Sequence, residues 1–321
     1  MLTRDEAQAV FSGPIASICT PFCRDGSIDY PSLRGAIDFV IAAGGKAVVL
    51  TAGDSHYMVL SDREVGEITR AVAEHVAGRA TVVAADRQWA TAQEVEFAKY
   101  ARSLGADTLM VMPPDWADSC TPRTMAEHYA AVAEHLPVTV VTNVFAKRPV
   151  EFALETLQTL CDISDGLVAI KDDLGGELGC RLGQAFRGRA AMFTSGTKHD
   201  YLAGAVCGYR GYLSNFLMLL PEVAWNFWRA AQRGDLTLAR QIAGSCEDPF
   251  YRLIRGFAGG PDAGIHGALE LFGRAQRWRR KPYYSLNESE MGQLAALFAS
   301  LPPGGEGRTA PGPMTKADES A

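Results

Sequence analysis

Leu167-Val168-Ala169-Ile170-Lys171 is a run of four apolar residues closed by a lysine, and runs of this kind recur down the chain. A short, continuous apolar segment rich in β-branched residues suits a strand buried on both faces, as in a parallel sheet covered by helices. Comparable runs lie at 14–20, 46–51, 80–85, 107–112, 138–143, 190–195 and 210–214, so together with 167–171 the sequence predicts eight strands.

The stretches between them carry helical period: Leu33, Ile37, Val40 and Ile41 make one apolar stripe, Val65, Ile68, Val72 and Val76 a second, and Met125, Tyr129, Val132 and Leu136 a third. Helix starts are marked as well. Ser61 with Glu64 and Thr91 with Glu94 fit the capping box, and Thr121 before Pro122 fits an N-cap followed by proline. Eight strand-helix units predict an α/β fold, a (β/α)8 TIM barrel, whose loops after the strands build the active site. The alternative, an open doubly wound sheet, calls for a glycine-rich fingerprint after the first strand, and Thr20-Pro21-Phe22-Cys23 is unlike one. The barrel core is expected over residues 1–220, the last barrel helix and a small C-terminal helical extension over 221–301 (with helices at 236–256 and 288–301), and a flexible Pro/Gly-rich tail over 302–321.

The 321 residues, 47% of them apolar, can bury a large core, and the net charge of -6 lacks the positive field that holds a protein on nucleic acid. The cluster Arg274, Arg277, Arg279, Arg280 and Lys281 is read with Trp278 as a subunit contact or a solvated face. Trp225, Phe227 and Trp228 are read as helix packing. Residues 7–23 are uncharged but broken by polar residues and proline, so neither a membrane span nor an export signal is expected. Seven scattered cysteines without zinc-site spacing are expected to be free thiols in the cytoplasm.

In such a barrel a polar residue ending an apolar strand points into the active-site mouth. Lys171 is that residue on the sixth strand, and apolar surroundings favour the neutral amine that attacks a carbonyl. On this segment alone, the competing interpretation is a strand-end lysine paired with Asp172 or Asp173.

From residue 13 to about 300 the chain resembles the dihydrodipicolinate synthase and N-acetylneuraminate lyase family of class I aldolase-type barrels. The resemblance is carried in order by Thr20-Pro21-Phe22 with Gly26, Ile28 and Asp29; Leu60-Ser61-Asp62-Arg63-Glu64; Gly105-Ala106-Asp107; Met112-Pro113-Pro114; Leu136-Pro137-Val138; Val168-Ala169-Ile170-Lys171-Asp172; and Gly211-Tyr212-Leu213-Ser214. It implies that Lys171 forms a Schiff base with the keto carbon of a 2-oxo acid, that no cofactor is needed, and that the protein is a homotetramer or homodimer. An exposed aromatic, Trp116, would lie in the contact between subunits.

The departures are equally specific. Where the family has two threonines before Gly-Glu, this chain has Thr51-Ala52-Gly53-Asp54, and the tyrosine that moves protons at the imine is Thr142, before Asn143. A threonine hydroxyl is a far weaker acid than a phenol and cannot simply inherit that role. The aromatic pair after Pro-Pro is Asp115-Trp116, and the glycine-rich turn after the third strand is Ala85-Asp86-Arg87. The expected catalytic set is Lys171, Thr142 and Thr51. The expected substrate-binding set is Asp54, His56, Asp86, Asp115, Asn143, Lys147 and Ser214, with Asp54, His56, Asp86 or Asp115 supplying acid-base function, Lys147 meeting an anionic substrate end, and no metal. The expected activity is a Schiff-base-forming lyase, aldolase or dehydratase, on a 2-oxo acid, and a poor dihydrodipicolinate synthase. Two alternatives are a non-catalytic ligand-binding barrel and a metal-dependent lyase or hydrolase built on the strand-end aspartates.

Overall fold

The computed structural model describes residues 1–195 and 197–302; the tail expected over 302–321 falls, but for Pro302, outside them. Eight parallel strands close on themselves: β1 (Gly13–Ser17), β2 (Ala47–Val49), β3 (Thr81–Ala85), β4 (Thr108–Val111), β5 (Val138–Val141), β6 (Leu167–Asp172), β7 (Ala191–Thr194) and β8 (Gly211–Leu213), with β8 pairing back onto β1. Helices alternate with the strands, as the sequence predicts for a (β/α)8 barrel. Nearly every strand residue is buried, which is why the strands read as unbroken apolar runs rather than as alternation. The closure is tight: a Cβ on Gly211 would stand 2.2 Å from the Phe11 carbonyl oxygen and 2.5 Å from that of Gly13, so β8 can lie against β1 only with glycine there.

Several ladders stop short of the expected strand ends. Residues 142–145 turn at once into a 3₁₀ helix (Thr142–Phe145), and Thr20, Thr51, Ser195 and Ser214 lie beyond the paired segments. That rim is where side chains leave the ladder and become available to a site.

Two of the predicted caps form as read: Ser61 and Glu64 close a capping box, and Thr121 caps the helix that begins at Pro122. The third does not. The helix Thr91–Ser103 starts from Ala90 without a side-chain cap, the Thr91 hydroxyl lies 2.9 Å from Nδ1 of His128, and Glu94 is turned fully inward.

The chain groups into two compact units, Met1–Ile18 with Val40–Ser214, which holds the whole barrel, and Cys19–Phe39 with the chain from Asn215 onward. In the second unit, the helix expected over 236–256 is interrupted: Leu236–Ile242 and Asp248–Arg255 are separated by a π turn over Ala243–Glu247. Pro249 has no N–H and crowds the carbonyl four residues back, and widening the turn relieves both faults. A helix at Gly260–Leu271, which glycine and proline hid in the sequence, packs in the same unit. Phe250 meets Phe216 and Phe298 at ring separations of 5.6 and 5.4 Å, and Phe227 is fully buried.

Four of the five cations in the cluster at 274–281 have partners within the chain. Arg277 pairs with Glu270 and Glu288, Arg279 with Asp262, Arg274 stacks 3.4 Å over the Phe39 ring, and Arg280 donates to the Gly26 carbonyl at 2.9 Å. Carboxylates elsewhere in the chain engage Arg277 and Arg279, which a local count of cations could not register. The cysteines correct an expectation. Cys180 and Cys207 form a disulfide with their Cα atoms 4.9 Å apart, while Cys19, Cys23, Cys120, Cys161 and Cys246 are free. Gly183 permits it, since a Cβ there would lie 2.2 Å from the Cys207 carbonyl oxygen. Among the described residues no helix is long and apolar enough to cross a membrane.

Candidate active site

β6 carries its ladder to the rim, where Lys171 stands opposite Val141 of β5 and Phe193 of β7. Side chains alternate along a strand, so Lys171 and Asp172 point to opposite faces, and Asp173, one residue past β6, lines the same cavity as Lys171. Lys171 is 8% exposed and its Nζ forms an ion pair with Asp173 Oδ1. Both line a cavity of about 520 Å³ whose wall includes Thr51, Asp54, Arg87, Gln88, Asn143 and Ser195, with Met110, Val141 and Leu213 as apolar lining. Of the two pairings left open by the sequence, Lys171 makes the one with Asp173.

Asp172, on the opposite face, accepts four hydrogen bonds. Oδ1 takes the Thr142 hydroxyl at 2.7 Å and the Leu174 N–H at 3.1 Å; Oδ2 takes the Gly175 N–H at 3.0 Å and the Tyr209 hydroxyl. Burial, and then the bond to Asp172, push the Tyr209 phenol far above its ordinary range. Thr142 Oγ1 in turn accepts the backbone N–H of Asp173 at 2.9 Å. The helix Gly176–Ala185 can approach this network because Gly179 has no Cβ; one would stand 2.2 Å from the Tyr209 hydroxyl oxygen and 2.3 Å from Asp172 Oδ2.

The loop after β2 is held from within. The Asp54 N–H donates to Thr51 Oγ1 at 2.9 Å, the Thr51 N–H donates to Ser55 Oγ at 3.1 Å, and Ser55 Oγ donates to the Ile18 carbonyl at 2.6 Å. Thr51 and Asp54 therefore face the lysine cavity, as does Asn143. His56, with a left-handed φ of 60°, is buried and does not line that cavity. Ser214 is buried beyond β8 and likewise stays out of it.

Asp86 ends β3 at 1% exposure and does not line the cavity either. Its carboxylate accepts the Met112 N–H at 2.7 Å and the Gln88 N–H, and the buried Glu94 carboxyl lies against it. Burial first, and then the Asp86 charge, drive the Glu94 pKa upward; burial also raises that of Asp86, against the pull of its N–H donors. Two buried carboxyls side by side do not both ionise readily, so Glu94, the more strongly raised, holds the proton beside Asp86. Gln88 and Met112, the two residues Asp86 grips, do line the cavity.

Asp115 and Lys147 lie in an outer hollow of about 580 Å³ that shares Gln88, Met112 and Asn143 with the lysine cavity. Arg148 clamps Asp115 through Nε at 3.0 Å and Nη2 at 2.6 Å, and the Cys120 N–H adds a third bond at 3.0 Å. Burial works against ionisation of Asp115, but these donors outweigh it and hold the carboxyl below its ordinary range. Trp116, beside it, is 84% exposed. The structure thus brings Lys171, Thr51, Asp54 and Asn143 to one cavity and places Asp115 and Lys147 in its outer hollow. Thr142, Asp86, His56 and Ser214 lie outside the lining. Sequence reasoning did not single out Asp173, Arg148, Tyr209 or Glu94 as site residues; of these, only Asp173 left a local signal, its two-residue spacing from Lys171.

The barrel has relatives in sequence and in structure. Over 286 residues, 88% of this chain and 93% of the relative, it is 28% identical to a 4-hydroxy-tetrahydrodipicolinate synthase of Psychrobacter sp.. It is 32% identical to the enzyme of that name from Methylibium petroleiphilum over 72% of this chain and 78% of the other. The crystal structure of N-acetylneuraminate lyase from Fusobacterium nucleatum superposes with a TM-score of 0.80 at 18% identity, covering 91% of this chain and 99% of that one, which speaks for the fold. The profile of the dihydrodipicolinate synthetase family matches residues 10–300, and the chain belongs to that family.

Proposed function

We propose that this chain is a Schiff-base-forming lyase, an aldolase or dehydratase, whose Lys171 attacks the keto carbon of a 2-oxo acid. The observation that carries this is the position of Lys171: a primary amine at the end of β6, sunk to 8% exposure in a cavity large enough for a small organic acid. Thr51 and Asn143 line the same cavity and are the polar groups offered to the substrate's carboxylate and hydroxyls, with Asp54 at the wall. The outer hollow with Lys147 would take the far end of a longer substrate. The family's named activities, a synthase and a lyase, both belong to this chemistry.

The test is borohydride reduction in the presence of a panel of 2-oxo acids, followed by intact and peptide mass analysis. A mass increment at Lys171 with at least one acid is expected; labelling elsewhere, or none across a broad panel, would overturn the assignment. We further propose a homotetramer or homodimer joined through the face bearing Trp116, and the cytoplasm as the compartment.

A further inference from the structure

We propose that Asp173 is the acid-base group of this site, holding and returning the protons that imine chemistry at Lys171 moves, at the place where the family resemblance leads one to look for a tyrosine and this chain has Thr142. The proposal rests on the assignment of Lys171 as the Schiff-base lysine.

Three observations meet at Asp173. First, its carboxylate is the one in ion-pair contact with Nζ, and both groups face the cavity. Second, its backbone is fixed: its own N–H is tied to Thr142 Oγ1 at 2.9 Å, and the next two N–H groups, of Leu174 and Gly175, are tied to Asp172 at 3.1 and 3.0 Å. Thr142 and Tyr209, both donating to Asp172, are thereby positioning residues that aim Asp173 at the amine. Third, two of the competing carboxylates are committed elsewhere. Asp86 is buried outside the cavity, where it accepts the Met112 N–H, and Asp115 is clamped by Arg148. Asp54 sits on the cavity wall across from β6, on the loop after β2.

The proton balance closes within this pair. With a 2-oxo acid in the cavity, the Lys171 ammonium passes a proton to Asp173, leaving a neutral amine and a carboxylic acid. The amine nitrogen bonds to C2, the carbonyl π electrons go to oxygen, and an N–H proton follows them, giving a carbinolamine. Asp173 protonates its hydroxyl, which leaves as water while the nitrogen lone pair forms the C=N bond. The iminium now faces a carboxylate, which removes a proton from C3; the C–H electrons form the C2–C3 double bond of a neutral enamine. No oxidant, reductant or outside base is required.

Pyruvate is the probe, with the full chain in deuterium oxide. Exchange of the methyl protons, followed by proton NMR, reads C3 deprotonation, while borohydride trapping at Lys171 reads imine formation. Asp173→Asn keeps the shape and the backbone bonds. It is expected to form the trapped imine more slowly and still reach it on long incubation, while its exchange falls by about 100-fold or more, the scale of a lost general base. Asp173→Ala should regain exchange when formate is added, which a purely structural role would not do, and Asp173→Glu should retain part of the wild-type rate. Exchange by Asp173→Asn within a few-fold of wild type, with trapping intact, would overturn the role of Asp173 and leave Lys171 standing. Absence of trapping in the wild-type protein would overturn the lysine assignment and this proposal with it.

Discussion

The Thr142 hydroxyl donates to Asp172 Oδ1 across 2.7 Å and accepts the Asp173 N–H at 2.9 Å, so both its hydrogen-bonding roles are spent on holding the loop after β6. A group so engaged is a strut between β5 and β6. Thr142→Val keeps the shape and removes the strut, leaving a buried carboxylate short of a donor. The expected cost is about 1.5–3 kcal/mol, the range for a hydrogen bond to a charged group. Chemical denaturation reads it, and Thr142→Ser should restore most of the loss. A valine variant as stable as wild type would show that the strut carries nothing.

Glu94 offers a second test, in which the sign of the pH dependence is fixed. Its pKa is raised in the folded protein from the ordinary 4.5, so the folded state binds a proton that the unfolded chain gives up as pH rises past that value. Folding stability therefore falls with rising pH from 4.5 upward, until Glu94 itself ionises in the folded state. Glu94→Gln keeps the shape beside Asp86 but cannot titrate. Measured against wild type, its relative stability should climb steadily with pH across the neutral range. A difference that stays flat would mean that Glu94 is already ionised in the folded protein.

The Arg148–Asp115 pair behaves in the opposite sense. The two side chains are 11% and 9% exposed and border the outer hollow, and removing one partner leaves the other short of its hydrogen bonds at a cost of about 1–3 kcal/mol. Because the Asp115 pKa is lowered from 3.8, the stability it brings is present above that value and lost as pH falls through the folded pKa. Asp115→Asn should be destabilised at neutral pH, and the gap to wild type should narrow as the pH is taken well below 3.8. Equal stability at neutral pH would refute the clamp.

The oligomer can be tested through Trp116. An aromatic side chain left 84% exposed on a loop is the kind of surface that association covers. Light scattering at micromolar concentration should report a dimer or tetramer, and Trp116→Ala should shift the population toward smaller species. A monomeric wild type would refute the proposed contact.

How much of this could be read from the chain alone depends on the range of the interaction. The barrel was legible because burial on both strand faces writes itself as apolar runs, and Lys171 because it breaks the end of one such run. Thr51, Asp54 and Asn143 were legible as strand-end polar residues, and all three face the lysine cavity. Glu94 was misread because a glutamate three residues after Thr91 has the spacing of a capping box, and only the tertiary position of Asp86 turns it inward. The Tyr209–Asp172 and Cys180–Cys207 pairs join elements 37 and 27 residues apart, and no local period announces either.

The last prediction concerns an activity the relatives' names bring to mind: this chain should be a poor 4-hydroxy-tetrahydrodipicolinate synthase. Condensing pyruvate with aspartate semialdehyde needs a proton relay reaching the second substrate as well as the imine. Asp173 touches Lys171, and Thr142 has its one hydroxyl proton committed to Asp172, so it does not extend that relay outward. Ala52 stands where the resemblance calls for a second threonine, so one donor to a substrate carboxylate is gone, a loss of about 1.5–3 kcal/mol. Asp54 and Asp173 also put two carboxyl groups on the wall of a cavity that would have to admit a second substrate carboxylate beside that of pyruvate. A misplaced relay alone costs about 10² to 10⁴-fold in rate. Measured beside a family member that keeps the tyrosine, condensation should be slower by at least the lower figure, while methyl exchange of pyruvate alone persists. Condensation within about tenfold of that control would mean that another group completes the relay, and that neither Thr142 nor Ala52 limits the reaction.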